Sequence, residues 1–252
     1  MNYEKLRDLG MDLFRDNTQW VPQMTISYGG MDAGIYGETN IPGLFAAGTA
    51  RSTEPGVYAG GFALMTTSVT GYLAGEGVAR FLEEQPRLEI TLDEAELAAL
   101  QQEIYAPLGK DGLSPKAVLT EIQQIMFHYN VSILKTETAL QDALHRLKTL
   151  QLTKIPQMAA KDAHYLLKLR EVRAMAFVSE LYLRASLERK ESRAGHYRED
   201  YPQRDDAYLG WLTIEQDEAQ QMRFAWKPVP TEQYKYPITR YYSDNFIFMK
   251  KN

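Results

Sequence analysis

The pattern of apolar positions divides the chain into three zones. Between residues 92 and 192, leucine, valine, isoleucine and alanine recur at spacings of three, four and seven, the period of amphipathic helices that each bury one stripe. Four antiparallel helices are expected there. The first starts at Thr91 as N-cap, with Glu94 three residues on in a capping-box spacing, and runs to about Tyr105. Ser114-Pro115 opens the second, with proline at the first helical position, and it ends near Asn130. Thr136 or Thr138 opens the third, which reaches about Leu150. The fourth is expected over residues 156–192, roughly 55 Å long at about 1.5 Å per residue, with a seam of Leu166, Leu169, Val172, Ala176, Leu183 and Leu187.

The zone before the bundle is rich in glycine and poor in charge. It reads as a helix over residues 3–14, a short strand over 24–28 ended by Gly29-Gly30, and a hairpin over 31–38 punctuated by Gly34 and Gly37. The apolar run in Ile41-Pro42-Gly43-Leu44-Phe45-Ala46-Ala47-Gly48 is too short for a helix and predicts a buried strand ending at Gly48. A loop over 49–56 follows, then a helix from about Gly61 to Glu84. Gly71, Gly75 and Gly77 inside that helix suggest close packing on a sheet or ligand, because glycine costs about 1 kcal/mol against alanine in a helix interior. The zone after Arg193 is polar and aromatic. Residues 211–214 and 222–226 read as a hairpin, followed by an extended tail carrying Tyr234, Tyr236, Tyr241, Tyr242, Phe246 and Phe248. The tail suits an arm laid over another subunit or over this chain's own bundle.

Composition narrows the chemistry. The 252 residues hold 44% hydrophobic and 24% charged residues with a net charge of −5, the profile of a globular protein and not of a nucleic-acid binder. No apolar run is long enough to span a membrane, and no secretory signal is visible, so a cytoplasmic location is expected. With no cysteine, the chain itself offers no disulfide, catalytic thiol, thiolate zinc site or iron–sulfur ligation. His128, His145 and His164 lack ligand spacing, so no metal is assigned.

Locally, the strand–loop–helix around Gly48 is the most informative feature. A glycine-rich loop entering a helix aims free N–H groups and the positive helix end at the crevice, and Gly60 and Gly61 let a flat ring or anion approach the main chain. A tight β–α turn with no ligand explains the same residues.

Pro42-Gly43-Leu44-Phe45-Ala46-Ala47-Gly48, preceded by Tyr28-Gly29-Gly30-Met31, resembles the last strand of the flavin-binding domain in the fumarate reductase/succinate dehydrogenase flavoprotein family. A second stretch is similar to the signature that ends the family's helical C-terminal domain. It comprises Leu187-Glu188-Arg189-Lys190-Glu191-Ser192-Arg193, His196-Tyr197-Arg198-Glu199-Asp200-Tyr201-Pro202 and Arg204-Asp205-Asp206. The resemblance covers roughly residues 20–215. It implies an α+β chain: a small β-rich segment completing an FAD-binding domain (1–88), an antiparallel three- to four-helix bundle (89–206), then a hairpin and extended tail (207–252).

The family's G-x-G-x-x-G strand–turn–helix, which seats the pyrophosphate, has no counterpart here, and neither has its capping domain. The resemblance therefore implies the C-terminal half of a flavoprotein, and the opening methionine and helix favour a separate subunit. Expected cofactor-binding residues are Gly48, Thr49, Gly60, Gly61, Ala63 and Leu64. Thr49 stands where the family uses an acidic residue toward the flavin ribityl chain, and Ala63 and Leu64 fall where main-chain groups meet the isoalloxazine. The family's substrate histidine is Thr25 here, and its arginine register reads Val57-Tyr58-Ala59, so succinate or fumarate turnover is not expected. Tyr58, Arg51 and His196 remain as catalytic candidates, each with a structural explanation beside it: Tyr58 as a packing aromatic, Arg51 as a loop residue, and His196 in a charged network bracing the long helix.

The function expected from the resemblance is a subunit of a flavin-dependent oxidoreductase sharing FAD with an N-terminal dinucleotide-binding subunit. An iron–sulfur or ferredoxin-like carrier would pass electrons. The alternative is a non-catalytic helical scaffold derived from such a flavoprotein.

Overall fold

The computed structural model describes residues 3–12, 14–16, 29–51, 61–85, 92–219 and 221–235. Their centre is a three-helix layer of α4 (Pro115–Met126), α6 (Glu137–Thr153) and α7 (Ala163–Glu188). Val118, Ile122, Ile125 and Met126 from α4 meet Leu140, Ala143, Leu147 and Leu150 from α6. Leu169, Val172, Ala176 and Leu183 from α7 close the same core. Helix α6 runs antiparallel to both α4 and α7, an arrangement marked by cross-helix bonds. Lys148 pairs with Glu180 and Gln151 donates to the Ala176 carbonyl across α6 and α7, while Lys154 pairs with Glu121 across α6 and α4. Glu180 is buried in the core wall. The ammonium of Lys148 at 3.1 Å and the guanidinium of Arg184 at 2.8 Å hold its carboxylate charged and offset the loss of water.

Caps fix where the helices begin. Thr136 accepts from the Ala139 amide at the start of α6, and Asp162 accepts from Tyr165 at the start of α7. Helix α3 (Glu94–Tyr105) starts at Asp93, whose carboxylate accepts from Ala95 and Glu96, and not at Thr91, which lies outside the described residues. Two expected helices are shorter than the pattern suggests. The second ends at Met126 and is followed by one turn, α5 (Tyr129–Ser132). The expected helix over 156–192 divides: residues 155–157 form a 3₁₀ turn, and Met158 and Ala160 then pair with Leu113 and Leu108. Helix α7 follows only after Asp162 and ends at Glu188.

In the first zone, α1 (Tyr3–Asp8) is shorter than expected. Gly10, at φ +82°, turns the chain back so that Met11 donates to the Leu6 carbonyl. Helix α2 (Phe62–Glu84) matches the expected length. The expected strand over 41–48 and hairpin over 31–38 are replaced by a compact arm with one isolated bridge, Glu38 to Phe45, and a 3₁₀ turn at Gly48–Ala50. A strand needs neighbours to take its amides and carbonyls, and this segment finds one bridge partner among the described residues. The strand expected over 24–28 lies outside those residues. The hairpin is β1 (Gly210–Gln216) and β2 (Met222–Pro228), antiparallel, with Gly210 opposite Pro228 and Gln216 opposite Met222. Lys227 reaches back to Asp32 at 2.8 Å and ties the hairpin to the first zone.

Candidate functional site

The candidate site lies where the arm meets the start of α2. Gly48 takes φ +56°, and its amide donates to Thr70 Oγ1 at 2.9 Å, which pins the 3₁₀ turn to the helix. A Cβ on Gly48 would stand 3.2 Å from Thr67 Cγ2, so the close approach needs glycine. The arm meets α2 a second time, where a Cβ on Gly37 would stand 2.9 Å from Ala74 Cβ and one on Gly77 2.4 Å from the Tyr36 carbonyl oxygen. Phe45 and Phe81 meet edge to face beside it.

Gly61 caps α2 in the left-handed region at φ +78°, and a Cβ added to it would meet no described atom within 4 Å. Among the described residues no side chain caps this end, and the helix's own ladder begins with Met65 donating to Gly61. The amides ahead of Met65 therefore have no acceptor within the helix. Thr49, Gly61, Ala63 and Leu64 are all exposed. The rest of that helix face is apolar and open: Leu64 is 79% exposed and Tyr72 71%, with Met65, Val69, Val78 and Leu82 beside them. Thr70, Ala74 and Gly77 face inward instead. Helix α2 thus packs its small residues on this chain and turns its large ones away. Gly60 and Tyr58 lie outside the described residues, as do Thr25 and Val57.

Arg51, a catalytic candidate from sequence, donates to the carbonyls of Ile35 (3.3 Å) and Ala33 (3.4 Å) and closes the base of the arm. His196 lies at the far end of α7, within a network that the second signature stretch builds. Its Nε2 stands 3.1 Å from the Arg189 carbonyl oxygen. Burial and the nearby positive charge of Lys135, Arg189 and Arg198 push its pKa down to about 4. Glu191, wholly buried, accepts from Arg189, Arg193 and the Asp205 amide. Arg189 also donates to the Tyr208 and Gly210 carbonyls and lies 4.6 Å from the Trp226 ring, so the hairpin is anchored to the end of α7. Asp206 pairs with Arg204, and Asp205 accepts from the Ala207 amide.

Sequence reasoning misses two groups. Thr67 and Thr70 put hydroxyls toward the arm at Gly48, while Thr66 donates to the Phe62 and Ala63 carbonyls of its own helix; the signal is present in the run Met65-Thr66-Thr67-Ser68-Val69-Thr70. Lys135 is 2% exposed, with its ammonium 5.8 Å from the Tyr182 ring; burial, then the charge of Arg198, lowers its pKa to about 8. Nothing in the pattern Leu134-Lys135-Thr136 marks a buried lysine. No group of three or more metal-capable side chains occurs among the described residues.

Comparison with known proteins bears on the family of the chain. The family described as fumarate reductase flavoprotein C-term matches residues 119–242. An uncharacterized FAD-dependent oxidoreductase of Methanocaldococcus jannaschii is 30% identical over 82% of this chain and 38% of its own length. The 8-methylmenaquinol:fumarate reductase flavoprotein subunit of Wolinella succinogenes is 29% identical over 95% of this chain and 42% of its own. Among solved structures, adenylylsulfate reductase of Archaeoglobus fulgidus superposes with a TM-score of 0.66 at 26% identity, over 82% of this chain and 34% of that one. The chain spans a little over a third of the length of these relatives. It carries the C-terminal part of a flavoprotein of the fumarate reductase/succinate dehydrogenase family.

Proposed function

We propose that this chain completes the FAD site of a flavin-dependent oxidoreductase whose dinucleotide-binding half is a partner subunit. The observation that carries this reading is the orientation of α2, which leaves Leu64, Met65, Val69, Tyr72, Val78 and Leu82 uncovered beside an uncapped helix start. A 23-residue helix that hides its small face and exposes its large one needs a second layer. On this reading residues 1–88 belong to the FAD-binding domain, 89–206 to the helical domain and 207–252 to a hairpin and tail.

The residues fit the cofactor. FAD supplies hydride acceptance and release at its ring system. Ala63 and Leu64 are exposed at the positive end of α2, where the first amides have no acceptor within the helix, and this end favours negative charge on a bound ring. Gly61 permits close approach, while Gly48 holds the arm against Thr67 and Thr70, and the exposed Thr49 hydroxyl offers a hydrogen bond to a polyol chain. Leu64 and Met65 exclude water once covered. The M. jannaschii relative is named as FAD-dependent and the W. succinogenes relative as a subunit, which supports both the cofactor and an assembly. These 252 residues hold no cysteine for iron–sulfur ligation, and on this reading the electron carrier is an iron–sulfur or ferredoxin-like protein.

The test is affinity purification of the tagged chain from its own host. Recovery of a yellow complex containing a chain with the G-x-G-x-x-G half supports the reading. A colourless, stable monomer with no such companion overturns it and favours the helical scaffold, for which the self-contained core of α4, α6 and α7 is the supporting observation.

A further inference from the structure

Helix α3 carries Leu97, Leu100 and Ile104 on one stripe, yet none of its residues is buried. Helix α7 leaves its own second stripe open: Leu167, Met175 and Val178 are exposed. A shallow apolar hollow of about 420 Å³ is lined by Glu171, Ala174, Met175, Val178 and Ser179. We infer that α3 is a strap that closes antiparallel along the outer face of α7, seating Ile104, Leu100 and Leu97 against Leu167, Ala174 and Val178.

Three observations fix this occupant. The C-terminal end of α3 is already anchored at the start of α7. Gly109 donates to the Ala160 carbonyl at 2.7 Å, and Ala160 donates back to Pro107 at 2.9 Å. Gly109 takes φ +69°, a conformation open to glycine, and completes the anchor from which the strap extends. Next, Arg170 and Glu103 stand 3.9 Å apart and set a register. Counting equal steps from that pair toward the start of α3 and toward the end of α7 brings Leu100 level with Arg173, one residue short of Ala174. Leu97 comes level with Ala176, two residues (about 3 Å) short of Val178 and within a leucine's reach of it. The lengths agree, since α3 and residues 167–178 of α7 each hold 12 residues and span about 18 Å. Finally, the charges complement each other. The strap carries Asp93, Glu94, Glu96 and Glu103 with no basic residue from 92 to 109, while the first half of α7 offers Lys168, Arg170 and Arg173. Closure turns the three-helix layer into a four-helix bundle and covers the hollow.

The absence of cysteine makes the test clean. The full-length protein carrying Leu97→Cys and Val178→Cys is oxidised, beside a control pair Ala99→Cys and Val178→Cys on the side of α3 turned away. The strap predicts a disulfide within one chain in the first pair, several-fold faster than in the control, read by non-reducing mobility and mass. No disulfide, equal rates in the two pairs, or bridges only between two chains overturns it, the last outcome assigning the face to a second copy. Oxidation of Met175 by peroxide gives a second readout. Leu97→Asp, an exposed position that does not threaten folding, should raise the Met175 sulfoxidation rate several-fold, and an unchanged rate overturns the strap.

Discussion

Arg198 and Glu137 lie sixty-one residues apart in sequence and meet inside the protein, where Arg198 Nη2 donates to Glu137 Oε2 at 2.7 Å. Arg198 is wholly buried, and its other donors go to Asp200 at 2.8 Å and to the Ser186 carbonyl at 2.7 Å. Asp200 in turn accepts from the Glu137 amide. One guanidinium thus joins the start of α6, the end of α7 and the segment that leads to the hairpin.

Arg198→Met should therefore destabilise the chain strongly. It leaves Glu137 and Asp200 facing each other without a cation and strips the Ser186 carbonyl of its donor. Removing one partner of a buried ion pair costs about 3–5 kcal/mol, with the lower end expected because both carboxylates retain some water. Arg198→Lys should fall between, since lysine keeps the charge but not the planar fork. Urea unfolding followed by circular dichroism measures both. A midpoint for Arg198→Met equal to that of the unaltered chain refutes the joint.

Lys135 gives the chain an alkaline signature. The groups facing it are the Arg198 guanidinium, the His196 imidazole and the Tyr182 phenol, whose own pKa burial raises to about 12. The folded chain releases the Lys135 proton near pH 8, whereas an unfolded lysine holds it to 10.5. Between those values the unfolded state binds more protons, so stability rises with pH across that window. Lys135→Met should flatten the rise. Unfolding midpoints measured at several pH values in that window decide the matter.

His196 predicts the corresponding acid limb. Its folded pKa near 4 lies below the ordinary 6.5, so the unfolded state again carries the extra proton between the two. Stability falls as the pH drops from 6.5 toward 4. His196→Gln should weaken this dependence by removing the titrating ring. An NMR titration showing His196 protonated at pH 6 in the folded protein contradicts the assignment.

Much of the bundle is legible in the sequence because its signals are local. The seam of Leu166, Leu169, Val172, Ala176 and Leu183 is buried as its spacing suggests, and Thr136 caps α6 through its own side chain. The division of the long helix is not legible. Met158 and Ala160 continue an apolar pattern, yet their backbone partners are Leu113, Leu108 and Pro107, some fifty residues upstream. The strand expected at 41–48 fails for a related reason: an apolar run gives no information about whether neighbouring strands are present. The open start of α2 can be placed from Gly60-Gly61. The pin from Thr70 to Gly48 depends on how the arm folds back across 22 residues.

Gly77 tests how the arm is held. A Cβ there would stand 2.4 Å from the Tyr36 carbonyl and 2.9 Å from its Cβ, backbone and near-backbone atoms with little freedom to yield. Gly77→Ala should push the arm off α2 and destabilise that contact by about 1–3 kcal/mol, despite the better helix propensity of alanine. Limited proteolysis should then cut within residues 31–47 faster, while the core of α4, α6 and α7 keeps its protection. Equal cleavage in both proteins refutes the packing.

Gly61→Val probes the open end of α2. Valine at φ +78° is strained by roughly 1–2 kcal/mol, but nothing described lies within 4 Å of its Cβ, so no such atom of this chain is displaced. The branched side chain instead fills the space in front of the free amides of α2. If flavin approaches there, the assembled protein should lose most of its flavin while circular dichroism of the bundle is unchanged. Gly71→Ala is the control, because it too meets open space but lies nearly three turns further along the helix. The flavin-to-protein absorbance ratio separates the cases. A low ratio confined to Gly61→Val locates the cofactor at this end, and a full ratio in an intact assembly shows that the ring lies elsewhere.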